Sequence, residues 1–436
     1  MKTLSAWLQH LERLHPKGLA GIELGLDRIR QVKQVLAQSQ HCPVITVGGT
    51  NGKGSTCAYL ENIIVRAGYK TGCYTSPHLQ AYNERVRLNG VPVADELLCA
   101  AFERVEAARL EAGCVGLTYF EFGTLAAWEV FASAGVEAAI LEVGLGGRLD
   151  AVNAYEPDVS IVTTVALDHT DWLGPDRESI GFEKSGIFRS GKPALCADPQ
   201  PPQRLLEHAA AIGADLRLLG RDFGYERVQG EANDNRLQWR WWCRHGDALI
   251  KRTLAYPGLR GATQLYNASV ALAALDALGD KLPVTMQAIR PGLIETELSG
   301  RFQVLPGKPA IVLDVGHNPQ AIKVLADNMS GMGFFDRTYA VVGMLSDKDI
   351  AGALAPLKDK VDYWHLATLD GLRGTPAQVL ADIIQESQLG GEVICHPSPL
   401  EAMRAAKELA SESDRILAFG SFHTVAGALE ALGKKA

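Results

Sequence analysis

The chain has 436 residues, 47% hydrophobic and 21% charged, with a formal net charge of −7 and a pI near 5.9. That length exceeds what one hydrophobic core usually organises, so two domains are expected, with three as the alternative. The acidic balance argues against a binder of nucleic-acid backbone, and no apolar run reaches the ~20 residues a membrane span needs. The eight cysteines include no C-x-x-C pair, which suggests neither a zinc site nor a disulfide framework and fits a reducing compartment.

The first residues, Met1-Lys2-Thr3, lead into an amphipathic pattern of Leu4, Trp7, Leu8, Leu11 and Leu14, unlike the unbroken apolar core of a signal peptide. A soluble cytoplasmic protein is expected. The β-branched run Val44–Val47 then empties into Gly48-Gly49-Thr50-Asn51-Gly52-Lys53-Gly54-Ser55-Thr56, which reads as a phosphate-binding loop. Gly49, Gly52 and Gly54 let the backbone turn tightly and aim N–H groups inward, and Lys53 supplies a point charge for terminal phosphates. Ser55 or Thr56 stands beside a metal ion where a helix, legible over Cys57 to Ala67, begins. Polyphosphate with Mg²⁺ suits such a loop. The match to G-x-x-x-x-G-K-[ST] is imperfect, because Val47 replaces the first glycine and Gly54 separates Lys53 from the hydroxyls. The bland alternative is an ordinary Gly-rich strand-to-helix turn.

Strand-like runs at Val44–Val47, Lys70–Tyr74, Ala138–Val143, Val159–Val165 and Pro193–Cys196 alternate with helical stretches, the rhythm of a parallel α/β sheet. Polar motifs follow these runs, where ligands of such sheets sit, so one pocket is expected to gather them. Ser76, after Lys70–Tyr74, suits a Mg²⁺ shell or simply a Ser-Pro turn. Glu142 closes an apolar run and offers carboxylate oxygen to Mg²⁺, or caps a helix or pairs with a cation. His169 lies between Asp168 and Asp171 and reads as a metal ligand with a carboxylate partner, or as a structural residue; Asp171 reads equally as an N-cap. Lys184, in Glu183-Lys184-Ser185-Gly186-Ile187 after a helix start, reads as an ordinary surface lysine.

Between Leu216 and Leu254 the period changes to two, with Leu237, Trp239, Trp241 and Cys243 alternating before a His245-Gly246-Asp247 turn. This predicts a β-hairpin whose tryptophans pack the sheet rather than form a stacking platform. After a helix around Asn267–Leu278, Pro291 and Gly292 punctuate the chain. A second alternation follows, with strands at Ala310–Val315, Tyr339–Val342, Tyr363–Leu366, Val393–Cys395 and Ile416–Phe419. Residues 1–297 are expected to form an ATP-binding domain and residues 298–436 a smaller Rossmann-like domain, with the active site in the cleft between them. Arg301 suits charge stabilisation on a transferred phosphoryl group, and Asp314 either accepts from a nucleotide ribose or makes an Asx-turn.

Gly-Thr-Asn-Gly-Lys-Gly-Ser at 49–55 resembles the loop of the Mur-type ATP-dependent amide ligases. Glu23-Leu24-Gly25-Leu26-Asp27-Arg28, Thr118 to Thr124, Gly147-Arg148-Leu149-Asp150 and Gly420-Ser421-Phe422-His423-Thr424-Val425 narrow the resemblance to the bacterial bifunctional dihydrofolate synthase/folylpolyglutamate synthase family, over essentially the whole length. It implies an α/β, Mur-ligase-like fold: an N-terminal P-loop ATPase domain with a mostly parallel sheet, and a Rossmann-like C-terminal glutamate-ligase domain. It also implies a pterin site lined by Glu23, Leu24, Gly25, Leu26, Thr118, Tyr119, Phe120, Glu121, Leu149, Asp150 and Ala151. ATP would be bound by Gly52, Lys53, Gly54, Ser55, Asn267, Arg301 and Asp314. Ser76, Glu142, His169 and a carbamylated Lys184 would serve two Mg²⁺ ions.

Lys53, Arg301 and His317 are the implied catalytic residues, with His423 an alternative to His317 as base and with Ser421 and His423 near the glutamate. The implied partners are the small molecules ATP, L-glutamate, dihydropteroate and tetrahydrofolate, acted on by a monomer through an acyl phosphate that domain closure shields from water. Gly316 stands where alanine is expected, and Ser55 where threonine is also common. A P-loop switch ATPase, or a Mur ligase acting on cell-wall nucleotides, would share the loop but not the other segments.

Overall fold

The computed structural model describes residues 2–15, 23–228 and 238–435. The chain divides into two compact units. The first comprises Met1–Ala166, Thr170–Gly258 and Leu265–Thr296; the second comprises Leu167–His169, Leu259–Gln264 and Glu297–Ala436.

The first unit is built on an eight-stranded sheet of β1 (Val44–Gly48), β2 (Thr71–Tyr74), β3 (Val86–Leu88), β4 (Val91–Pro92), β5 (Ala138–Glu142), β6 (Val159–Val162), β7 (Pro193–Cys196) and β8 (Asp215–Leu218). Its order is β4-β3-β2-β5-β1-β6-β7-β8, parallel except for the β3 and β4 edge. Every residue of β1 is buried, as expected for a β-branched run covered on both faces. The helix Leu4–Leu14 buries Leu4, Trp7 and Leu11, with Trp7 against Phe102 and Phe122.

A three-stranded antiparallel sheet follows, with β9 (Phe223–Val228), β10 (Gln238–His245) and β11 (Ala248–Ala255) in the order β11-β10-β9. His245 pairs with Ala248, so Gly246 and Asp247 make the two-residue turn of a hairpin. Trp239, Trp241 and Cys243 are buried in alternation, whereas Leu237 lies outside the described residues. Trp241 Nε1 donates to Ser269 O at 3.1 Å, seating the hairpin on the helix Gln264–Leu278. The tryptophans therefore pack the sheet, as their alternation implied.

The second unit has a six-stranded sheet of β12 (Gln303–Leu305), β13 (Ala310–Asp314), β14 (Thr338–Val342), β15 (Tyr363–Ala367), β16 (Glu392–His396) and β17 (Arg415–Phe419), ordered β12-β13-β17-β14-β15-β16. Only β12 is antiparallel. Its core contains Val312, Ile322, Leu325, Val342, Trp364, Leu417 and Phe419. No helix among the described residues is long and apolar enough to cross a membrane.

Several sequence-based expectations need correction. Pro291 and Gly292 do not break the chain but lie inside the helix Met286–Ile294. Asn62 Nδ2 donates to the Gly292 carbonyl at 2.9 Å, and a Cβ at Gly292 would come within 2.6 Å of Ile63, so glycine permits close packing on the helix Lys53–Arg66. That helix begins at Lys53 rather than Cys57, placing Ser55 and Thr56 in its first turn. The strand expected to reach Val165 stops at Val162, because Thr163 and Thr164 turn their hydroxyls onto the Asn51 carbonyl at 2.7 and 3.0 Å. Asp171 lies within the single-turn helix Thr170–Leu173 and is not its cap. Glu183 and Lys184 follow the start of the helix Arg177–Ser185, as expected, and lie in its last turn, but Lys184 is buried rather than on the surface.

His365 is fully buried on β15, with Nδ1 2.9 Å from His396 Nε2. Burial, with the neighbouring His396, pushes His365 down to about 4 from its usual 6.5. Between those values the unfolded chain takes up a proton here and the folded chain does not, so stability falls as pH drops from about 6.5 to about 4. His365→Asn is expected to flatten that slope by about one proton in the pH dependence of the second unit's thermal transition, measured by calorimetry.

Candidate active site

In the first unit, β1 sits between β5 and β6, so its loop emerges at the middle of the sheet's carboxyl edge. Gly49 and Gly52 take φ values of +140° and +93°. An added Cβ at Gly52 would come within 2.5 Å of Asn267 Oδ1, and one at Gly49 would collide with Thr163 Oγ1. Asn51 N donates to Thr164 Oγ1 at 3.1 Å, and Thr50 N donates to Thr164 O at 2.7 Å. The loop is thus clamped by Thr163, Thr164 and Asn267. Lys53 Nζ donates to Gly49 O at 3.0 Å and Thr50 O at 3.3 Å, curled over its own loop. Gly54 and Ser55 continue the first helical turn, whose N–H groups and dipole favour an anion.

Glu142 closes β5 with 3% exposure, and its Oε2 accepts from Ser76 N at 3.0 Å. The two sequence-predicted metal residues are therefore neighbours, and carboxylate and hydroxyl oxygen suit a hard cation such as Mg²⁺. Lys184 is also buried, and its carbonyl abuts Gly147, where a Cβ would come within 2.9 Å. Arg148 N donates to Glu183 O at 2.8 Å, so the glycine loop after β5 and the Lys184 helix turn are packed together.

The expected pterin segments also converge within this unit. Gly25 N donates to Leu149 O at 3.2 Å, joining Glu23–Leu26 to Leu149–Ala151. Arg28 pairs with both Glu23 and Glu121. Thr118 and Glu121 form a capping box on the helix Tyr119–Ala134, so much of their polarity serves the helix start. Phe120 packs near Tyr74, with centroids 5.7 Å apart, and Tyr119 packs edge-on to Tyr82. Asp150 accepts from Leu145 N and Val152 N at 2.8 and 3.0 Å. Burial pushes it up to about 7, against those backbone donors and the Lys53 charge.

The second unit gathers another set. Lys348 Nζ donates to Asp168 Oδ1 at 2.7 Å and lies 3.4 Å from His169 Nε2; His317 Nε2 lies 3.6 Å from Asp168 Oδ2. Burial works to raise Asp168, but the His317 contact, the Lys348 cation and His169 hold it well below the usual carboxylate range. His169, in a left-handed conformation at φ +52°, is pushed down to about 4 by burial and by Lys348, against Asp168. A neutral imidazole is the form that can donate to a metal. His317 Nδ1 is 2.9 Å from Val315 O, so both of its nitrogens face oxygen acceptors.

Asp314 accepts from Phe302 N and Gly316 N at 2.8 and 2.7 Å, making the Asx-turn, and burial raises it against those donors and Arg301. A Cβ at Gly316 would stand 2.7 Å from Asp314 Oδ1, so glycine in place of alanine relieves that contact. Arg301 lies over the Phe422 ring, 5.3 Å from its centroid. Ser421 caps the last helix, Phe422–Ala431, accepting from Thr424 N at 3.0 Å, and His423 is exposed on its first turn. Lys348, Thr163 and Thr164 were not singled out from sequence. For Thr163 and Thr164 the signal was position, directly beyond the carboxyl end of β6, whereas Lys348 lies in the longer loop after β14.

Residues 300–422 match the family model of the Mur ligase glutamate ligase domain. The dihydrofolate synthase/folylpolyglutamate synthase of Escherichia coli (strain K12) is 45% identical over 98% of this chain and 95% of its own length. The chain belongs to the dihydrofolate synthase/folylpolyglutamate synthase family. The Haemophilus influenzae member is 37% identical over 97% of this chain and 96% of its own. The solved structure of E. coli FolC in complex with DHPP and ADP is 43% identical, with a TM-score of 0.90 over 99% of this chain and 98% of that one. A bifunctional folylpolyglutamate synthase/dihydrofolate synthase with Mn, AMPPNP and L-glutamate bound is 43% identical, with a TM-score of 0.87 over 99% and 98%. This family's Mur-ligase fold is the α/β architecture expected from the motifs.

Because Gly52 is both left-handed and against Asn267, Gly52→Ala is expected to weaken ADP binding at least about tenfold, read by isothermal titration calorimetry. Unchanged affinity would mean that the loop does not hold phosphate in this conformation.

Proposed function

We propose that this chain is an ATP-dependent acid–amino-acid ligase that joins L-glutamate to dihydropteroate, giving dihydrofolate, and to reduced folates, giving folylpolyglutamates. The observation that carries the reading is a clamped phosphate loop beside the Glu142–Ser76 pair, in a chain related to this family over nearly its whole length. Residues 1–297 are assigned to ATP and pterin, and residues 298–436 to the glutamate-ligase domain.

A carboxylate resists attack by an amine, so it is first phosphorylated. A carboxylate oxygen of the pterin substrate attacks the γ-phosphorus of ATP, and ADP leaves. The glutamate nitrogen then attacks the acyl carbon, the carbon–oxygen bond to phosphate breaks, and the amine gives up its proton. In this reading the N–H groups of Gly52, Lys53, Gly54 and Ser55 hold the phosphates, and Lys53 leaves its loop carbonyls to follow the transferred charge. Asn267, Arg301 and Asp314 complete the assigned ATP contacts. Glu23 to Leu26, Thr118 to Glu121 and Leu149 to Ala151 are assigned to the pterin.

Ser76 and Glu142, with His169 and a carbamylated Lys184, would hold Mg²⁺, which neutralises phosphate charge when bound. We assign His317 to positioning, through Asp168, because both its ring nitrogens already face oxygens. Ser421 and His423 are assigned near glutamate. We take the chain to work as a monomer, since its small-molecule partners need no second chain, and its eight free cysteines suit the reducing cytoplasm.

The assignment is tested by ADP release from purified protein with Mg²⁺, ATP and L-glutamate, adding dihydropteroate, tetrahydrofolate or a UDP-muramoyl substrate separately. Turnover is expected with both pterins and not with the UDP compound; pterin-independent hydrolysis would overturn it. Lys53→Met is expected to lower kcat by about 10²–10³ without unfolding the chain, checked by circular dichroism.

A further inference from the structure

Cys243 and His245 stand two residues apart on β10, so both side chains leave the same face of the strand as Trp241. That face meets the helix Gln264–Leu278: Trp241 bonds to Ser269 O, and His245 Nε2 lies 2.7 Å from Asp276 Oδ2. Four residues along the strand (about 13 Å) and seven along the helix (about 10 Å) advance together, which brings Asp276 beside Cys243 and His245. The Cys243 sulfur, a His245 ring nitrogen and an Asp276 oxygen all lie within 4.8 Å of one another. Among the described residues, this is the group of three such side chains whose ligand atoms converge.

We infer that Cys243, His245 and Asp276 form a binding site for a divalent transition-metal ion of the zinc class, stapling the hairpin to the helix Gln264–Leu278. A thiolate, an imidazole and a carboxylate are the ligand types zinc takes, and bonds of about 2.0–2.3 Å place tetrahedral ligands about 3.3–3.7 Å apart. His245 and Asp276 stand 2.7 Å apart and all three ligand atoms lie within 4.8 Å of one another, so side-chain rotation suffices to reach that value. Thiolate and carboxylate together balance the dication.

Cys243 would bind the ion as its thiolate, so the metal takes the place of the thiol proton. The cations that act on Cys243 are Arg217 and Arg252, and Arg217 is itself paired with Asp215 at 2.8 Å. Cys243 is buried while His245 is exposed, which gives an ion a path from solvent and leaves a fourth position for water. The soft sulfur and nitrogen donors separate this site from the oxygen donors Glu142 and Ser76.

The test uses untagged, chelator-stripped full-length protein in excess Mg²⁺, titrated with Co²⁺ and then with Zn²⁺. One Co²⁺ per chain is expected, with a thiolate-to-cobalt charge-transfer band that Zn²⁺ abolishes and a rise in Tm of roughly 3–8 °C with Zn²⁺. Cys243→Ser should remove the band and the Tm rise. His245→Gln, at an exposed position, should weaken Co²⁺ binding at least about tenfold. Cys114→Ser and Cys395→Ser, which remove exposed thiols elsewhere, should change neither. Absence of the band in the unaltered protein, or its persistence in Cys243→Ser, would overturn the inference.

Discussion

The close approach of chain segments at the glycines after β1 is the constraint on which the rest of the first unit depends. Gly52 is left-handed with Asn267 against the place a side chain would fill, and Gly49 is pressed on Thr163 in the same way. Thr163 and Thr164 spend their hydroxyls on the Asn51 carbonyl, which keeps that carbonyl from competing with an incoming phosphate. A phosphate loop works only if its N–H groups are aimed before the anion arrives, and here three separate elements do the aiming. The same demand explains Gly292 in the helix Met286–Ile294: packing it tightly on the loop's helix requires a residue with no side chain.

The second unit solves a different problem, the burial of charge. Asp168, Lys348, His169 and His317 share one small network in which the carboxylate stays ionised and His169 stays neutral. Breaking such a buried pair leaves an uncompensated charge at a cost of about 3–5 kcal/mol, so Asp168 and Lys348 depend on each other. Asp314 is tied down by neutral means instead, through two backbone N–H groups.

Where function rests on local backbone chemistry, the sequence made it legible. The loop at 49–55, the acid closing β5 and the alternating tryptophans announce themselves through glycine spacing or period. The hairpin turn and the strand rhythm of both sheets were readable for the same reason. Long-range closure was not readable: nothing in the spacing links Lys348 to Asp168, 180 residues away, or Asp276 to Cys243 and His245. The edge strands β3 and β4 were missed although Asn89-Gly90 joins them, because three- and two-residue strands show too little period. Pro291 misled because it lies inside the helix Met286–Ile294 without ending it.

The second unit is not one piece of sequence. Leu167–His169 and Leu259–Gln264 belong to it although the surrounding chain builds the first unit. A gene fragment that begins at Glu297 would therefore carry Lys348 without Asp168, and Asn328 without the Ala262 N–H that its side chain accepts from at 2.9 Å. During synthesis, Asp168 must wait for about 180 further residues before its cation exists. Folding of the two units is thus entangled in time even though each has its own core.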